Sequence, residues 1–305
     1  MNALRLIKGG VFGLFLMVFT LTSRHALANP QHGDVVPIIT TEYEIQAPDS
    51  LSMGWNTFSF SNKGNQVHFV AMYRLADGKT IEDQLEHVVP VFETLMESLR
   101  GGELSKSDIG PFFEQNIPEW GLQMTWVGGV GLLSPGRTSS ATFNIQRPGT
   151  YLVECYVKAP DGKWHTAMGM LKQIEVGSSP LIKSPPKADY TLTVTNSGVT
   201  GPREIPPGKY TFRINIDEDP DGFMPYDLNL AQLGSTPDLE RLYFWMDWTN
   251  VGGLRAPAPV NFLGGLEHMR AGNHGYVTVD LRVGNYLWVS EVNAAKINLP
   301  FVVRN

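Results

Sequence analysis

Two stretches of equal length decide the fold of this chain: residues 141–157 read ATFNIQRPGTYLVECYV, and residues 276–292 read YVTVDLRVGNYLWVSEV. Both are rich in β-branched and aromatic residues and are interrupted by glycine, as strands and their turns are. The motif Arg-x-Gly-x-Tyr recurs in them, at residues 147–151 and 282–286. The chain therefore contains an internal repeat, and we expect its two halves to share one architecture.

The rest of the chain has the same character, with short runs such as DYTLTVT and GKYTFRINI between Gly, Pro, Asn and Asp. This pattern is typical of antiparallel sandwiches. The segment GSSPLIKSPPKA, at residues 177–188, concentrates Pro, Ser and Lys between two such sets of strands. We therefore predict an all-β protein of two tandem sandwiches, with domains at residues 29–177 and 189–305 and a linker at 178–188.

The first half carries an insertion, at about residues 77–127, between its two blocks of matched strands. Within it, GKTIEDQLEHVVPVFETLMESLRGG spaces apolar residues at helical intervals and ends on Gly101. Pro90 is expected to kink or split this helix, because proline has no backbone N–H to donate. His87 falls on the polar side, where we expect a solvated histidine. We interpret the insertion as a helical flap packed on a sheet.

The first 28 residues have the three-part layout of a cleavable secretory signal. Arg5 and Lys8 precede the apolar run VFGLFLMVFTL, and Ala26-Leu27-Ala28 follows as the expected cleavage site. The apolar run is about 11 residues long, against the roughly 20 that a spanning helix needs. We therefore predict export to the periplasm or another extracytoplasmic compartment, with no membrane span after cleavage. A retained N-terminal anchor is the alternative.

Charge argues against one class of partner. The formal net charge of −6 becomes about −9 when Arg5, Lys8 and Arg24 leave with the signal segment. No run of Lys and Arg in the sequence offers a phosphate-binding stripe. Nucleic acid is therefore not expected as a partner.

The chain has one cysteine, Cys155, so no internal disulfide can form. In an exported protein an unpaired thiol is expected to be buried, ligated or paired between chains. The chain also lacks the CxxC pair and the CxxCH motif that serve thiol exchange, zinc binding and haem attachment. The role of Cys155 must therefore be sought among residues elsewhere in the sequence.

Two segments resemble the cupredoxins, the blue-copper family of plastocyanin and azurin. The first is NKGNQVHFVAM, whose N-x-G-x-x-x-H pattern ends at His68, and the second is GTYLVECYVKAPDGKWHTAMGMLKQIEV, with Cys, then His, then Met. The resemblance implies Greek-key sandwiches and one mononuclear copper site of the type 1 kind, with ligands His68, Cys155, His165 and Met170. Sulfur and imidazole ligands suit an ion that alternates between Cu(I) and Cu(II).

The resemblance also implies a function in electron transfer or in copper delivery or storage. The expected partner is accordingly a redox protein or a copper donor or acceptor. Enzymatic activity such as multicopper oxidation is not expected, because it would need further histidine-rich clusters and the seven histidines are scattered.

The sequence departs from the family between Cys155 and His165, which nine residues separate. Asp161-Gly162 is a strong hairpin turn, and a regular hairpin around it would place His165 opposite about Lys158. His165 would then lie about 10 Å along the strand from Cys155. The loop must therefore coil over the end of the sandwich, or His165 is not a ligand.

The second half lacks the proposed ligands. In the repeat Cys155 falls on Ser290, and His68 falls on Tyr226 or Pro225. We predict a degenerate domain without metal ligands, with a structural or partner-docking role. Because Ser290 occupies the matching place, the strand itself does not require sulfur there, which favours a ligand role for Cys155.

A different interpretation stays open. Cys155 shares strand parity with Tyr151, Val153 and Val157, which is an apolar set, so the thiol also fits an inert core residue. The chain would then be a tandem-sandwich interaction module of the cell envelope. A thiol nucleophile is not expected, because Cys155 has no helix N-terminus to lower its pKa. Calcium binding by IDEDPDGFMPYD is not expected either, because this segment lacks the EF-hand order of oxygens.

Overall fold

The computed structural model describes residues 35–305. The predicted signal segment at residues 1–28 lies outside them, and the predicted export stays a prediction. Among the described residues, no helix combines the length and the apolar character that crossing a bilayer requires.

Eight strands form the first half and pair into two sheets. In what we call the front sheet, the order is β2–β1–β3–β6, and in the back sheet it is β8–β7–β4–β5, with the first residues of β3 also pairing with β8. The strands are β1 Val36–Thr41, β2 Glu44–Gln46, β3 Ser50–Asn62, β4 His68–Arg74, β5 Thr125–Leu133, β6 Thr138–Ile145, β7 Gly149–Glu154 and β8 Leu171–Pro180.

The second half repeats these pairings. Its front sheet has the order β10–β9–β12–β15, and its back sheet has the order β14–β13–β16–β17–β11. The elements are β9 Tyr190–Thr195, β10 Gly198–Thr200, β11 Glu204–Ile205, β12 Gly208–Ile216, β13 Tyr226–Leu233, α4 Leu239–Met246, β14 Asn261–Met269, β15 His274–Leu281, β16 Gly284–Val289 and β17 Asn298–Val303. The predicted all-β fold of two tandem sandwiches is confirmed.

The repeated Arg-x-Gly-x-Tyr motif forms the same contact in both halves. The hydroxyl of Tyr151 donates to the carbonyl of Arg147 at 2.7 Å, and the hydroxyl of Tyr286 donates to the carbonyl of Arg282 at 2.8 Å. Each tyrosine is buried at the start of a back-sheet strand. A buried phenol needs a hydrogen-bond partner, and the preceding turn supplies it.

The insertion in the first half is helical, as predicted. Its helices are α1 Ile81–His87, α2 Val89–Gly101 and α3 Ile109–Asn116, with short 3-10 turns at Lys106–Asp108 and Glu119–Gln123. The helix splits before Pro90, which lies in the first turn of α2, where a missing N–H costs no hydrogen bond. Gln84 of α1 donates to the Tyr73 hydroxyl of β4 at 3.1 Å, so the insertion covers the back sheet. His87 is exposed.

The linker begins later than the sequence predicts. Strand β8 continues to Pro180, where it pairs with Met53, and only residues 181–189 lack regular structure. Proline is tolerated at the end of a strand because no further ladder hydrogen bond is needed there.

The two sandwiches are joined through both sheets. In the front sheet β6 pairs with β15, and in the back sheet β5 pairs with β14. Glycines permit the second contact: a Cβ on Gly131 would lie 2.7 Å from the Cα of Gly265. Gly129 has a φ of 151°, and a Cβ there would lie 2.9 Å from the Cβ of Glu267 in the second half. The backbones of the two halves therefore pack directly against each other.

Candidate metal centre

The turn before β4 positions His68. Asn62 ends β3, and its side-chain amide donates to the carbonyls of Gln66 and Leu133, both at 2.8 Å. Its side-chain oxygen accepts from the N–H of Gly64 at 2.9 Å. The asparagine of the N-x-G-x-x-x-H pattern thus holds the turn in one shape and places His68, which is fully buried, at the first position of β4.

Cys155 follows the last residue of β7 and is fully buried. Its N–H donates to the carbonyl of Met170 at 3.1 Å, and its carbonyl accepts from the Thr166 hydroxyl at 3.0 Å. The segment after the loop is therefore tied back to the cysteine by two hydrogen bonds.

The hairpin predicted around Asp161-Gly162 is present, but its register differs from the prediction. Lys158 pairs with Trp164, and the N–H of His165 donates to the carbonyl of Val157 at 2.8 Å. His165 therefore lies opposite Val157, which is two residues along the strand from Cys155.

The separation of about 10 Å that a regular hairpin would give is not found, since the Nδ1 of His165 lies 3.7 Å from the Sγ of Cys155. The chain turns at Thr166, whose hydroxyl bonds to Cys155 and draws the base of the hairpin over the sulfur. Met170 closes this loop by donating its N–H to the carbonyl of His165 at 3.0 Å.

Three of the four predicted ligands meet at one point. The Nδ1 atoms of His68 and His165 each lie 3.7 Å from the Sγ of Cys155, and the three ligand atoms lie within 4.8 Å of one another. Met170 is fully buried, with its backbone bonded to Cys155 and His165. Met168, the other methionine of the loop, is exposed.

The spacing of these atoms fits a metal ion. With metal–nitrogen and metal–sulfur bonds of about 2.0 and 2.3 Å, a trigonal arrangement places each nitrogen about 3.7 Å from the sulfur. Cys155 lies at this distance from both imidazoles. One thiolate and two imidazoles suit copper or zinc, and they do not suit calcium or magnesium.

A glutamine holds the imidazole of His165 in position. The Nε2 of His165 lies 3.1 Å from the Oε1 of Gln66, which can only accept, so Nε2 carries the hydrogen and Nδ1 keeps its lone pair toward the sulfur. The Gln66 amide donates in turn to the Tyr43 hydroxyl at 3.0 Å. Such an outer partner fixes both the tautomer and the orientation of a ligating histidine.

A carboxylate lies behind the other imidazole. The Oε1 of Glu42 is 3.5 Å from the Nε2 of His68, and it also accepts from the N–H groups of Asn65 and Gln66. A Cβ on Gly64 would lie 2.4 Å from this oxygen. The glycine of the motif therefore leaves room for the carboxylate beside His68.

Burial sets the protonation states of the three candidate ligands. It lowers the pKa of His68 to about 4 and that of His165 to about 3, and it raises the pKa of the Cys155 thiol to about 12. Near neutral pH the site therefore holds two neutral imidazoles and a protonated thiol. A thiol with a raised pKa is a poor nucleophile, which argues against thiol catalysis.

The long loop between Cys155 and His165 docks on the second half. The ammonium group of Lys158 is fully buried and donates to the carbonyls of Trp248, Asn250 and Gly253 at 2.8, 2.8 and 2.9 Å. It also lies 4.5 Å from the ring centre of Trp164. The nine residues between the candidate ligands thus form a hairpin anchored in the other sandwich.

The matching position in the second half has no such donor set. The N–H of Ser290 donates to Ile297 as that of Cys155 does to Met170, and its hydroxyl donates to Asp227 at 2.6 Å. In the strand register Tyr226 is the first residue of β13, as His68 is of β4, which selects Tyr226 over Pro225 as the counterpart.

Comparison with known proteins gives distant structural likeness only. No family model and no curated protein matches the chain. An auracyanin from Roseiflexus castenholzii shares 20% identity over 46% of this chain and 94% of its own, with a TM-score of 0.25. An azurin from Methylomonas sp. strain J shares 13% over 39% of this chain and 100% of its own, with a TM-score of 0.30.

Two longer copper proteins overlap more of the chain. A multicopper oxidase shares 13% identity over 88% of both chains, with a TM-score of 0.23. A copper-containing nitrite reductase from Thermus scotoductus shares 12% over 89% of this chain and 61% of its own, with a TM-score of 0.22. None of these overlaps is close enough to equate individual residues.

Proposed function

We propose that this chain is an exported, cupredoxin-like electron-transfer protein with one mononuclear copper site. His68, Cys155 and His165 would hold the copper, and Met170 would be its fourth ligand. The observation that carries the proposal is the triangle of one sulfur and two imidazole nitrogens, with both sulfur–nitrogen distances at 3.7 Å. The partner would be a redox protein that docks near the site.

Burial favours electron transfer over copper delivery. His68, Cys155, His165 and Met170 all have no exposed surface. Handing copper to another protein would require this part of the chain to open, whereas an electron passes without movement of the ligands. The bound copper would supply a one-electron couple stabilised by its sulfur and nitrogen ligands.

The protein's own residues keep the site rigid and dry. Gln66 fixes the ring of His165, Asn62 fixes the turn that carries His68, and Lys158 anchors the hairpin that covers the sulfur. A site that is held in one shape changes little when the metal changes its charge. Electron transfer has a low barrier when the shape of the site is nearly the same in both oxidation states.

The alternative is an interaction module in which Cys155 is an inert core residue. Burial of the thiol alone would fit that interpretation. It does not explain why two neutral imidazoles turn their Nδ1 atoms toward the sulfur in a fully buried place. The donor set therefore favours the metal site.

The test of the proposal is a copper titration of the purified protein. We expect one equivalent of Cu(II) to bind and to give the intense visible charge-transfer band of a copper–thiolate bond. The Cys155→Ser variant is the control and should give no such band. Stoichiometric copper without the band would reject a type 1 site, and absence of copper uptake would leave the interaction module.

Replacing Gln66 by leucine should weaken copper binding by about 10- to 100-fold, because the His165 ring loses the partner that orients it. The measurement is competition against a copper chelator. The Gln66→Glu variant keeps an acceptor oxygen and should retain most of the affinity. Gln146→Leu makes the same change on the exposed surface and is the matched control. Equal affinity in Gln66→Leu and Gln146→Leu would contradict the role of Gln66.

A further inference from the structure

Three buried carboxylates converge in the second half, and we call them the acidic cluster. Asp227 lies in β13, Glu267 in β14, and Glu291 two residues after the end of β16. One oxygen from each lies within 4.8 Å of the others. Asp227 and Glu267 have no exposed surface, and Glu291 is 3% exposed. Three carboxyl groups thus lie close together and away from water.

Only Asp227 is satisfied by hydrogen bonds. It accepts from the Ser290 hydroxyl at 2.6 Å, from the N–H of Glu291 at 2.9 Å and from the Asn229 amide at 2.5 Å. Neither carboxylate oxygen of Glu267 has a partner in the described part of the chain, and one oxygen of Glu291 also lacks one. Buried carboxylate oxygens without partners are rare, and they point to a ligand.

The imidazole of His268 lies beside Glu267 and offers a lone pair, but it brings no positive charge to the acidic cluster. The Nδ1–H of His268 donates to the carbonyl of Pro225 at 2.9 Å, so its Nε2 is the unprotonated nitrogen. That Nε2 lies 3.8 Å from the Oε2 of Glu267. Among residues 35–305, no other nitrogen of a basic side chain lies within 4.0 Å of a carboxylate oxygen of the acidic cluster.

The hydroxyl of Tyr156 cannot satisfy the remaining acceptors. It is bonded to the Nε2 of His268 and lies 3.1 Å from the Oε2 of Glu291. One hydroxyl hydrogen serves one of these two acceptors, so the other stays open. The surrounding residues therefore supply too few hydrogen-bond donors for the carboxylate oxygens of the acidic cluster and for the Nε2 of His268.

The repeat shows that the strands do not require carboxylates here. By strand register, Asp227 and Glu291 stand where the first half has Phe69 and Tyr156. Those two aromatic rings pack with their centroids 4.4 Å apart. The same backbone positions thus hold an apolar pair in one half and two carboxylates in the other.

We propose that the acidic cluster binds a divalent metal ion of the Mn²⁺ class, held by Asp227, Glu267 and Glu291. Carboxylate oxygens suit a hard dication such as Mn²⁺, whereas they suit the copper of a thiolate site poorly. A bound dication offsets the repulsion among the carboxylates and occupies the open lone pairs. This site is distinct from the one at Cys155 and does not depend on it.

The state without metal is consistent with this assignment. Burial raises the pKa of Glu267 and of Glu291 well above the usual range, and it raises the pKa of Asp227 to about 6. Protons therefore neutralise part of the cluster when no cation is present. Binding of the metal ion displaces them.

The test uses the purified full chain after removal of metals with a chelator, in the Cys155→Ser background so that no thiolate site competes. Mn²⁺ is the probe: its binding is read from the loss of the free-ion EPR signal and from the rise in melting temperature. We expect one Mn²⁺ per chain. The Glu267→Gln variant should bind Mn²⁺ about tenfold or more weakly, because a ligand is lost.

Glu267→Gln keeps the size of the side chain and replaces a buried carboxyl group by a neutral amide, so the metal-free variant should fold and melt no lower than its parent. Glu154→Gln is the matched control, because Glu154 is another buried glutamate, its pKa is raised to about 7 by burial, and it lies outside the acidic cluster. It should bind Mn²⁺ like the parent. Glu291→Gln provides a second, independent loss of a ligand.

Two results would overturn the proposal. One is that the parent binds neither Mn²⁺ nor Fe²⁺ while Glu267→Gln simply melts at a higher temperature. The acidic cluster would then be a set of protonated carboxyl groups and not a metal site. The other is Mn²⁺ binding that Glu267→Gln and Glu291→Gln leave unchanged, which would place the ion elsewhere. Neither result bears on the copper–thiolate band of the unmodified protein.

Discussion

Replacing Lys158 by methionine should lower the free energy of unfolding by about 1–3 kcal/mol, which is the range for leaving a buried acceptor without its donor. Methionine has a similar length and fills the same space, but it leaves the carbonyls of Trp248, Asn250 and Gly253 without their donor. Buried acceptors that lose their partner retain the full cost of desolvation. The contact with the ring of Trp164 is lost as well.

The measurement is urea unfolding of the metal-free protein, followed by tryptophan fluorescence. Lys163→Met is the matched control: it makes the same change in the same hairpin, where the side chain is exposed, and it should change stability by about 0.5 kcal/mol or less. Because the hairpin covers the sulfur of Cys155, Lys158→Met should also make a bound copper exchange faster with a chelator. Equal stability of the two variants would show that the anchor contributes nothing.

Copper affinity should rise about tenfold for each pH unit between about pH 5.5 and about pH 8, and so by more than 100-fold over the range. A bound copper would take the thiolate, while the metal-free protein holds a thiol, because burial raises the pKa of Cys155 to about 12. Each binding event therefore releases one proton, and a higher pH favours it. His68 and His165 contribute no further proton, because burial lowers their pKa values to about 4 and about 3.

This dependence can be measured by competition with a chelator whose own protonation is known. Calorimetry in two buffers of different ionisation enthalpy gives the number of protons released, which should be one. Cys155→Ser should lose the slope together with most of the affinity. A slope near two would mean that an imidazole is protonated in the metal-free protein, and a flat profile would mean that the thiolate is already present.

The fold was predictable because its signals are local and occur twice. The Arg-x-Gly-x-Tyr motif marks a tyrosine that must reach back to the preceding turn, and both Tyr151 and Tyr286 do so. Pro90 splits the inserted helix as its missing N–H requires. The start of the linker was misplaced because Pro180 reads as a linker residue, although it ends a strand.

The candidate ligands could be predicted from the sequence, but the residues that hold them in position could not. His68 and Cys155 are marked by short patterns along the chain, whereas the role of Gln66 depends on a ring that lies 99 residues away. The hairpin register shifted by one residue because Lys158 is fixed by carbonyls of the other half. The acidic cluster gave no sequence signal, since its members come from three separate strand ends.

Because paired strands join the two halves, we expect that cutting the chain between them would destabilise both fragments. Separating it after Pro180 would strip β5 of its β14 neighbour and β6 of its β15 neighbour, leaving two unpaired edges on each fragment. Exposed edges of this kind recruit other chains and aggregate. The half with the thiol therefore depends on the second half, whose strands β14 and β15 cover the edges of β5 and β6.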